Sequence, residues 1–304
     1  MNGVLIIDKP PGLTSHDVVN RVRRILGQRS VGHLGTLDPL ATGVLPLVTG
    51  SLTRLAQFYT SSEKTYQGVV RFGFATDTYD AAGEALAPAQ PVILTLKEVS
   101  TLAEKFRGKI QQTPPPFSAK KINGVPAYKL ARKKTQVDLK PVEVEVKEFE
   151  ILSVEADQAS FRARVSAGTY MRSVAHEMGQ QLGCGAHLES LRRTAVAEFE
   201  IDEAVTLQQL EDSAKSGATE NLFVHPRKLL PQFPSVAADE GNAARIRSGR
   251  TVNLPELSRA RQVKVFYGQR ELLAIVTRVA GTLFHPKIVF VTEPARQSVT
   301  GNRV

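Results

Sequence analysis

A chain of 304 residues, 42% apolar and 23% charged, is long enough for a buried core and for a second, smaller domain beside a large one. Its single cysteine, Cys184, excludes an intrachain disulfide and a cysteine-rich metal site, and fits a reducing, cytoplasmic setting. A net charge of +9 is consistent with a polyanionic partner or with a basic solubilising surface, and charge alone favours neither.

The first apolar run, Val4 to Ile7, stops at Asp8 and Pro10. It is too short for a signal-peptide core or a membrane span and reads as a buried strand. Ser15 is placed to cap a helix with Val18, Val22, Ile25 and Leu26 on one face, Arg21, Arg23 and Arg24 outside, and Gly27 at its end. The stretch GHLGTLDPLATGVLP, Gly32 to Pro46, follows neither the helical nor the strand period and reads as a shaped loop around its one acid, Asp38. An Asp-Pro pair commonly caps a helix. Here Gly43 and Pro46 come too soon for much of one, and the glycines permit close approach of a backbone or a ligand.

TYQGVVRFGFATDTYDAAGEA predicts a strand and then a polar turn. The segment Lys105 to Lys134 holds nine basic residues and no acid; Pro114, Pro115, Pro116 and Gly124 mark a projecting loop. Phe117 and Tyr128 lie among those charges, as suits phosphate contacts combined with stacked bases; a surface excursion with two buried anchors is the alternative. Val142 to Phe149 alternates as a half-exposed strand and SFRARVSAG supplies another. TYMRSVAHEMGQQLG is a helix with Met171, Val174, Ala175, Met178 and Leu182 inward.

Arg172 falls in the first turn of that helix, where the macrodipole disfavours a cation. It is either solvated there or held against a carboxylate, whose pKa it would lower. Prolines cluster between 226 and 240 and mark a boundary, followed by a short helix and strands near Val263–Tyr267, Leu272–Thr277 and Lys287–Val291. This irregular order predicts an α+β fold with a mixed sheet. The sequence contains no phosphate-binding loop, no HExxH, no GxSxG and no paired metal-ligand histidine spacing. Its chemistry is therefore expected from ordinary side chains, without metal or cofactor.

The blocks NGVLIIDKPPGLTSHDVV, GHLGTLDPLATGVLPLVTGSLTRL, KTYQGVVRFGFATDTYDAAGE, FSAKKINGVPAYKLAR and GTYMRSVAHEMGQQLGCGAHLESLRRT occur in this order. They resemble the TruB family of tRNA pseudouridine-55 synthases, specifically as far as about Thr194 and more weakly beyond. The resemblance implies a pseudouridine-synthase fold, with a mixed, mainly antiparallel sheet flanked by helices, over residues 1–230. It also implies a basic thumb-like insertion at about 105–140 and a small β-rich, PUA-like RNA-binding domain over 236–304.

By the same resemblance Asp38 is the catalytic aspartate, and His33 packs against displaced tRNA bases. Tyr66 stacks on the target base and assists proton transfer, Tyr170 contacts the substrate, Arg172 pairs with the aspartate, and Leu191 lines the uridine pocket. Lys120, Lys121, Lys129 and Arg132 are expected at the RNA backbone. Cys184 and His187 are expected to be structural. The implied partner is the T-arm of tRNA, for a cytoplasmic monomer that needs no membrane, cofactor or obligate protein partner. Two alternatives are a guide-RNA-dependent pseudouridine synthase and an RNA-binding protein that helps tRNA fold. The position of the first motif and the short C-terminal module favour the stand-alone enzyme.

Overall fold

The computed structural model describes residues 1–118, 121–122, 125–126 and 139–290. Its first part comprises β1 (Gly3–Lys9), α1 (Ser15–Ile25), β2 (Val31–His33), β3 (Thr42–Thr49), α2 (Ala56–Tyr59), β4 (Lys64–Phe72), α3 (Leu96–Glu104) and β5 (Gly108–Gln112). A small ladder, β6 (Lys121–Ile122) with β7 (Val125–Pro126), precedes β8 (Val142–Glu155), β9 (Gln158–Val165), α4 (Met171–Gln181), β10 (Ala186–Val196), β11 (Phe199–Glu200) and α5 (Leu207–Lys215). The C-terminal part contains β12 (Ser235–Ala238), α6 (Glu240–Arg247), β13 (Val252–Asn253), β14 (Gln262–Tyr267), β15 (Glu271–Ala280) and β16 (Leu283–Val289).

The larger sheet runs β1-β3-β10-β4-β9-β8-β5, with β2 added on β3 and β11 on β10. Its pairings are antiparallel except β3 with β10, so the sheet is mixed and mainly antiparallel, as expected. The continuous apolar run of β1 has a simple cause: both faces of the strand are covered. Leu5 and Ile7 join a core with Val18 and Val22 of α1 and Val174 and Met178 of α4. Val4 and Ile6 point the other way, into a cluster with Phe266, Ile275 and Ile288 of the second sheet.

Two local expectations shift. The cap of α1 is Thr14, which forms a reciprocal capping box with Asp17. Ser15, the expected cap, instead accepts from Leu37 N–H at 2.8 Å and donates to Leu37 C=O at 3.1 Å, tying the helix start to the Asp38 loop. Within GHLGTLDPLATGVLP only Leu34 to Ala41 is a connecting segment; Gly32 and His33 end β2, and from Thr42 it is β3, an interior strand between β1 and β10. Gly43 permits that arrangement. Its φ is +97°, and a Cβ there would lie 2.1 Å from the Arg193 carbonyl on β10.

The basic segment also divides. Its start is the edge strand β5, where Lys109 pairs with Glu143, and just before it Arg107 pairs with Glu104. Lys120, Lys129, Arg132 and Tyr128 lie outside the described residues, and Lys121 is described only as a backbone position in β6.

The second sheet is ordered β12-β14-β15-β16-β13; the predicted strands are present within the described residues, and β12 and β13 join them. It shares a core with the first sheet. Leu229 and Leu230, in the proline-rich connection, are fully buried. The Leu230 N–H donates to Glu198 Oε1, which also accepts from the Tyr59 hydroxyl at 2.5 Å. Lys264, buried on β14, donates to the carbonyls of Arg227 and Leu229. These contacts fasten the connection to both sheets.

Candidate active site

Asp38 sits in the loop between β2 and β3. The loop makes one turn, closed by Ala41 N–H on the Asp38 carbonyl at 3.1 Å, and does not continue as a helix. Two buried cations hold it from beneath. Arg193 of β10 donates from Nη2 to Gly35 C=O, from Nη1 to Thr36 C=O and from Nε to Val44 C=O, at 3.1, 3.1 and 2.8 Å. Lys9, at the end of β1, donates to the carbonyls of Pro10, Leu13 and Pro39 at 2.8, 2.6 and 3.2 Å. Burial brings the Lys9 pKa down to about 8, with the nearby Asp38 charge opposing the fall.

The Asp38 carboxylate meets Arg172. Nη2 donates to Oδ1 at 3.0 Å, and Nε lies 2.9 Å from Oδ2 without hydrogen-bond alignment. The arginine is therefore not the solvated residue its place in the first turn of α4 allowed. Its side chain is 5% exposed against 37% for Asp38, so the carboxylate is the member of the pair that faces the cleft. Arg172 also donates to the carbonyls of Thr78 and Phe117, at 3.1 and 3.0 Å, and its Nε is 3.7 Å from Asp80 Oδ2. The net effect on Asp38 is the reverse of the expected lowering. Burial raises the carboxyl above its ordinary value, Arg172 pulls it back, and Asp80 pushes the same way as burial.

Two recesses meet at this pair. The smaller, about 240 Å³, is lined by Tyr66, Tyr170, Leu191 and Lys64. Tyr66 is on β4 and Leu191 on β10, and both side chains are nearly buried. Tyr170 precedes α4, and the buried Gln112 side chain brackets it, accepting from its N–H and donating to its C=O at 2.8 and 3.1 Å. The larger recess, about 640 Å³, is lined by His33, His16, Pro39, Thr78 and Phe117. His33 Nδ1 accepts from Gly35 N–H at 3.3 Å, which leaves Nε2 as the protonated nitrogen of a neutral ring. Burial, and then Arg193, lowers its pKa.

The structure thus brings Asp38, Arg172, Tyr66, Tyr170 and Leu191 around one cavity and sets His33 at the adjoining one. His187 is buried against Phe74 and Glu189, and Cys184 packs at the core margin, both away from the cleft. The sequence reading assigned no role to Lys9, Asp80, Gln112 or Arg193. Lys9 and Arg193 are in the quoted motifs DKPPG and LRRT, but each stands beside another charge, Asp8 or Arg192, and nothing in residue identity marks it as the buried one of the two. Lys64 lines the cavity with a pKa lowered to about 8 by burial and then by Arg193. Among the described residues no group of three or more His, Cys, Asp or Glu is arranged to hold a metal ion, and no helix is long and apolar enough to cross a membrane.

The pattern of the TruB family pseudouridylate synthase N-terminal domain matches residues 23–171, and that of the tRNA pseudouridylate synthase B C-terminal domain matches residues 172–230. The tRNA pseudouridine synthase B of Solibacter usitatus (strain Ellin6076) is 52% identical over 292 residues, 95% of this chain and 100% of that protein. The protein of the same name from Bacillus cereus (strain ATCC 10987 / NRS 248) is 40% identical over 256 residues, 82% of this chain and 83% of that one. Among solved structures, an H/ACA RNP bound to a substrate RNA containing 2'-deoxyuridine aligns with a TM-score of 0.70 at 25% identity, covering 95% of this chain and 85% of the other.

Proposed function

The chain belongs to the TruB family and is a tRNA pseudouridine synthase, and from that premise we propose that it acts on the T-loop uridine at position 55 with Asp38 as its catalytic carboxylate. The observation that carries this reading is the Asp38–Arg172 pair, its carboxylate side open to a cavity walled by Tyr66, Tyr170 and Leu191.

A uridine inside a folded loop must be flipped out, which costs a few kcal/mol of lost stacking and pairing. Tyr66 and Leu191 offer a replacement surface. Asp38 then acts at the ribose. The C1'–N1 bond breaks, the base turns, a C1'–C5 bond forms, and the C5 proton leaves while N1 gains one. Substrate and product are isomers, so the balance requires no oxidant or cofactor. Burial strengthens Asp38 as a base or nucleophile, and Arg172 keeps it aimed and favours its charged form against that burial. Tyr170 and His33 would contact the flipped base and its displaced neighbours. Lys120, Lys121, Lys129 and Arg132 would meet the phosphates, with the 236–304 module as a second, PUA-like RNA contact. We place this activity in the cytoplasm, in a stand-alone monomer with residues 1–230 as its catalytic domain.

The likeness to an H/ACA RNP supports a guide-RNA-dependent reading, but it stands at 25% identity against 52% for a tRNA pseudouridine synthase B. One assay separates the readings. Purified protein is incubated, without guide RNA or other protein, with an unmodified tRNA transcript tritiated at uridine C5. Release of about one equivalent from the T-loop site is expected. Asp38→Asn should release none while still binding tRNA, and binding should weaken steeply with salt as counterions are released. Release by Asp38→Asn at the parent rate overturns the catalytic assignment. Tight binding by the parent without release favours the tRNA-folding alternative.

A further inference from the structure

Arg172 is held by a second loop, Thr76 to Gly83, as well as by Asp38. Thr78 offers its carbonyl to Nη1, and Asp80 brings its carboxylate to 3.7 Å from Nε. Internal contacts shape this loop: Thr76 Oγ1 donates to Asp80 C=O, while Thr78 Oγ1 and Ala82 N–H donate to Asp80 Oδ1. Backbone bonds fix it to the sheet, from Leu188 N–H to Tyr79 C=O and from Ala81 N–H to Leu188 C=O. Apart from the two contacts on the Arg172 guanidinium itself, none of these fastens it to the helix that carries Arg172.

Tyr79 makes that attachment. Its ring lies flat on His176 of α4, with centroids 3.7 Å apart and planes 9° from parallel. His176 is four residues after Arg172, one turn along the same helix face. Consecutive loop residues thus grip one face of the helix: Thr78 on Arg172, Tyr79 on His176, Asp80 again on Arg172. Both rings are held against local preference. Tyr79 has φ +65°, rare for an aromatic residue, and His176 Nδ1 is shielded from solvent without a hydrogen-bond partner. His176 keeps one polar contact, Nε2 to Gln180 Nε2 at 3.0 Å, so what it offers the loop is its ring face, and a tyrosine in a strained conformation is held by what its ring touches.

We infer that the Tyr79–His176 stack is a positioning clamp that locks the Thr76–Gly83 loop to α4 so that Arg172 stays aimed at Asp38. The inference rests on the proposed function, and it concerns two residues that do not touch the substrate cavity. The test is single-turnover and steady-state tritium release with unmodified tRNA. Tyr79→Ala should lower kcat about tenfold or more, the scale of a small misplacement at a catalytic group, with KM for tRNA within about twofold of the parent. Tyr79→Phe keeps the ring and should restore kcat to within about twofold, as should His176→Phe. The double variant Tyr79→Ala/His176→Ala should be no slower than either single one, since both remove the same contact.

Thermal melting of each variant accompanies the kinetics. If Tyr79→Ala melts below the assay temperature, Tyr79→Gly removes the ring while fitting φ +65° and reports in its place. A Tyr79→Gly rate within about twofold of the parent overturns the clamp, as does a Tyr79→Phe as slow as Tyr79→Ala. A loss entirely in KM overturns it too, by making the ring an RNA contact. An activity-free readout distinguishes failure of the clamp from failure of the proposed reaction. Titration of the Asp38 carboxyl carbon by NMR should shift upward in Tyr79→Ala as Arg172 loosens, and an unmoved titration counts against the clamp whatever the substrate.

Discussion

The two loops that meet at Arg172 are held by opposite means. The Asp38 loop is fastened into the core, its carbonyls taken by the buried cations Lys9 and Arg193 and its Leu37 backbone by Ser15. The Thr76–Gly83 loop is organised by its own hydroxyls and carboxylate, is pinned to β10 by backbone bonds at Leu188, and reaches α4 through the Tyr79–His176 stack and its contacts on Arg172. The loop presenting the carboxylate cannot move without leaving buried cations unsatisfied, whereas the attachment of the other loop to α4 can loosen while its backbone bonds to β10 stay intact. Precision at the carboxylate comes from the core; precision at the arginine comes from contacts that a single substitution can release.

The comparison predicts how substitutions divide between activity and stability. Asp38→Asn should abolish turnover with an unchanged or higher melting temperature. A carboxyl whose folded pKa is raised destabilises the fold above its unfolded pKa, and the amide removes that term. A marked fall in melting temperature would place Asp38 among the structural groups. Arg193→Met should be lost mainly through stability, by about 3 kcal/mol or more in urea denaturation, because the carbonyls of Gly35, Thr36 and the buried Val44 all lose their donor. Arg193→Lys should rescue little, since one ammonium cannot reproduce the fork that spans Gly35, Thr36 and Val44. Tyr79→Gly should show the reverse division, with unfolding free energy changed by about 1 kcal/mol or less because relief of the φ +65° strain offsets the lost contact.

Two smaller effects follow from pH. The acid limb of kcat should lie above the ordinary carboxylate range of Asp38, and Arg172→Met should move it further up, since the opposing charge is gone. For Lys9 the sign runs the other way. Its folded pKa of about 8 is below the ordinary lysine value of 10.5, so the unfolded chain binds more protons between these values and stability rises with pH across that window. Lys9→Met should flatten part of that rise in urea denaturation, with Lys64, also lowered to about 8, accounting for more of it.

The sequence alone determined the elements whose causes are local. The apolar stripe of α4, the alternation at the start of β8 and the unbroken run of β1 follow from side-chain period and from whether one face or both are covered. Motif order identified the family and singled out Asp38 and Arg172, which are 134 positions apart. Only the tertiary structure decided that GVLP is an interior strand, because Gly43 matters there for the Arg193 carbonyl that packs on it. It also decided the direction of the Asp38 pKa, since a motif can name a neighbouring arginine but not the burial that outweighs it. The roles of Lys9, Arg193, Asp80 and Tyr79 were hidden for the same reason. Each acts through backbone groups or rings brought close by the fold, and neither main-chain direction nor burial is written in residue identity.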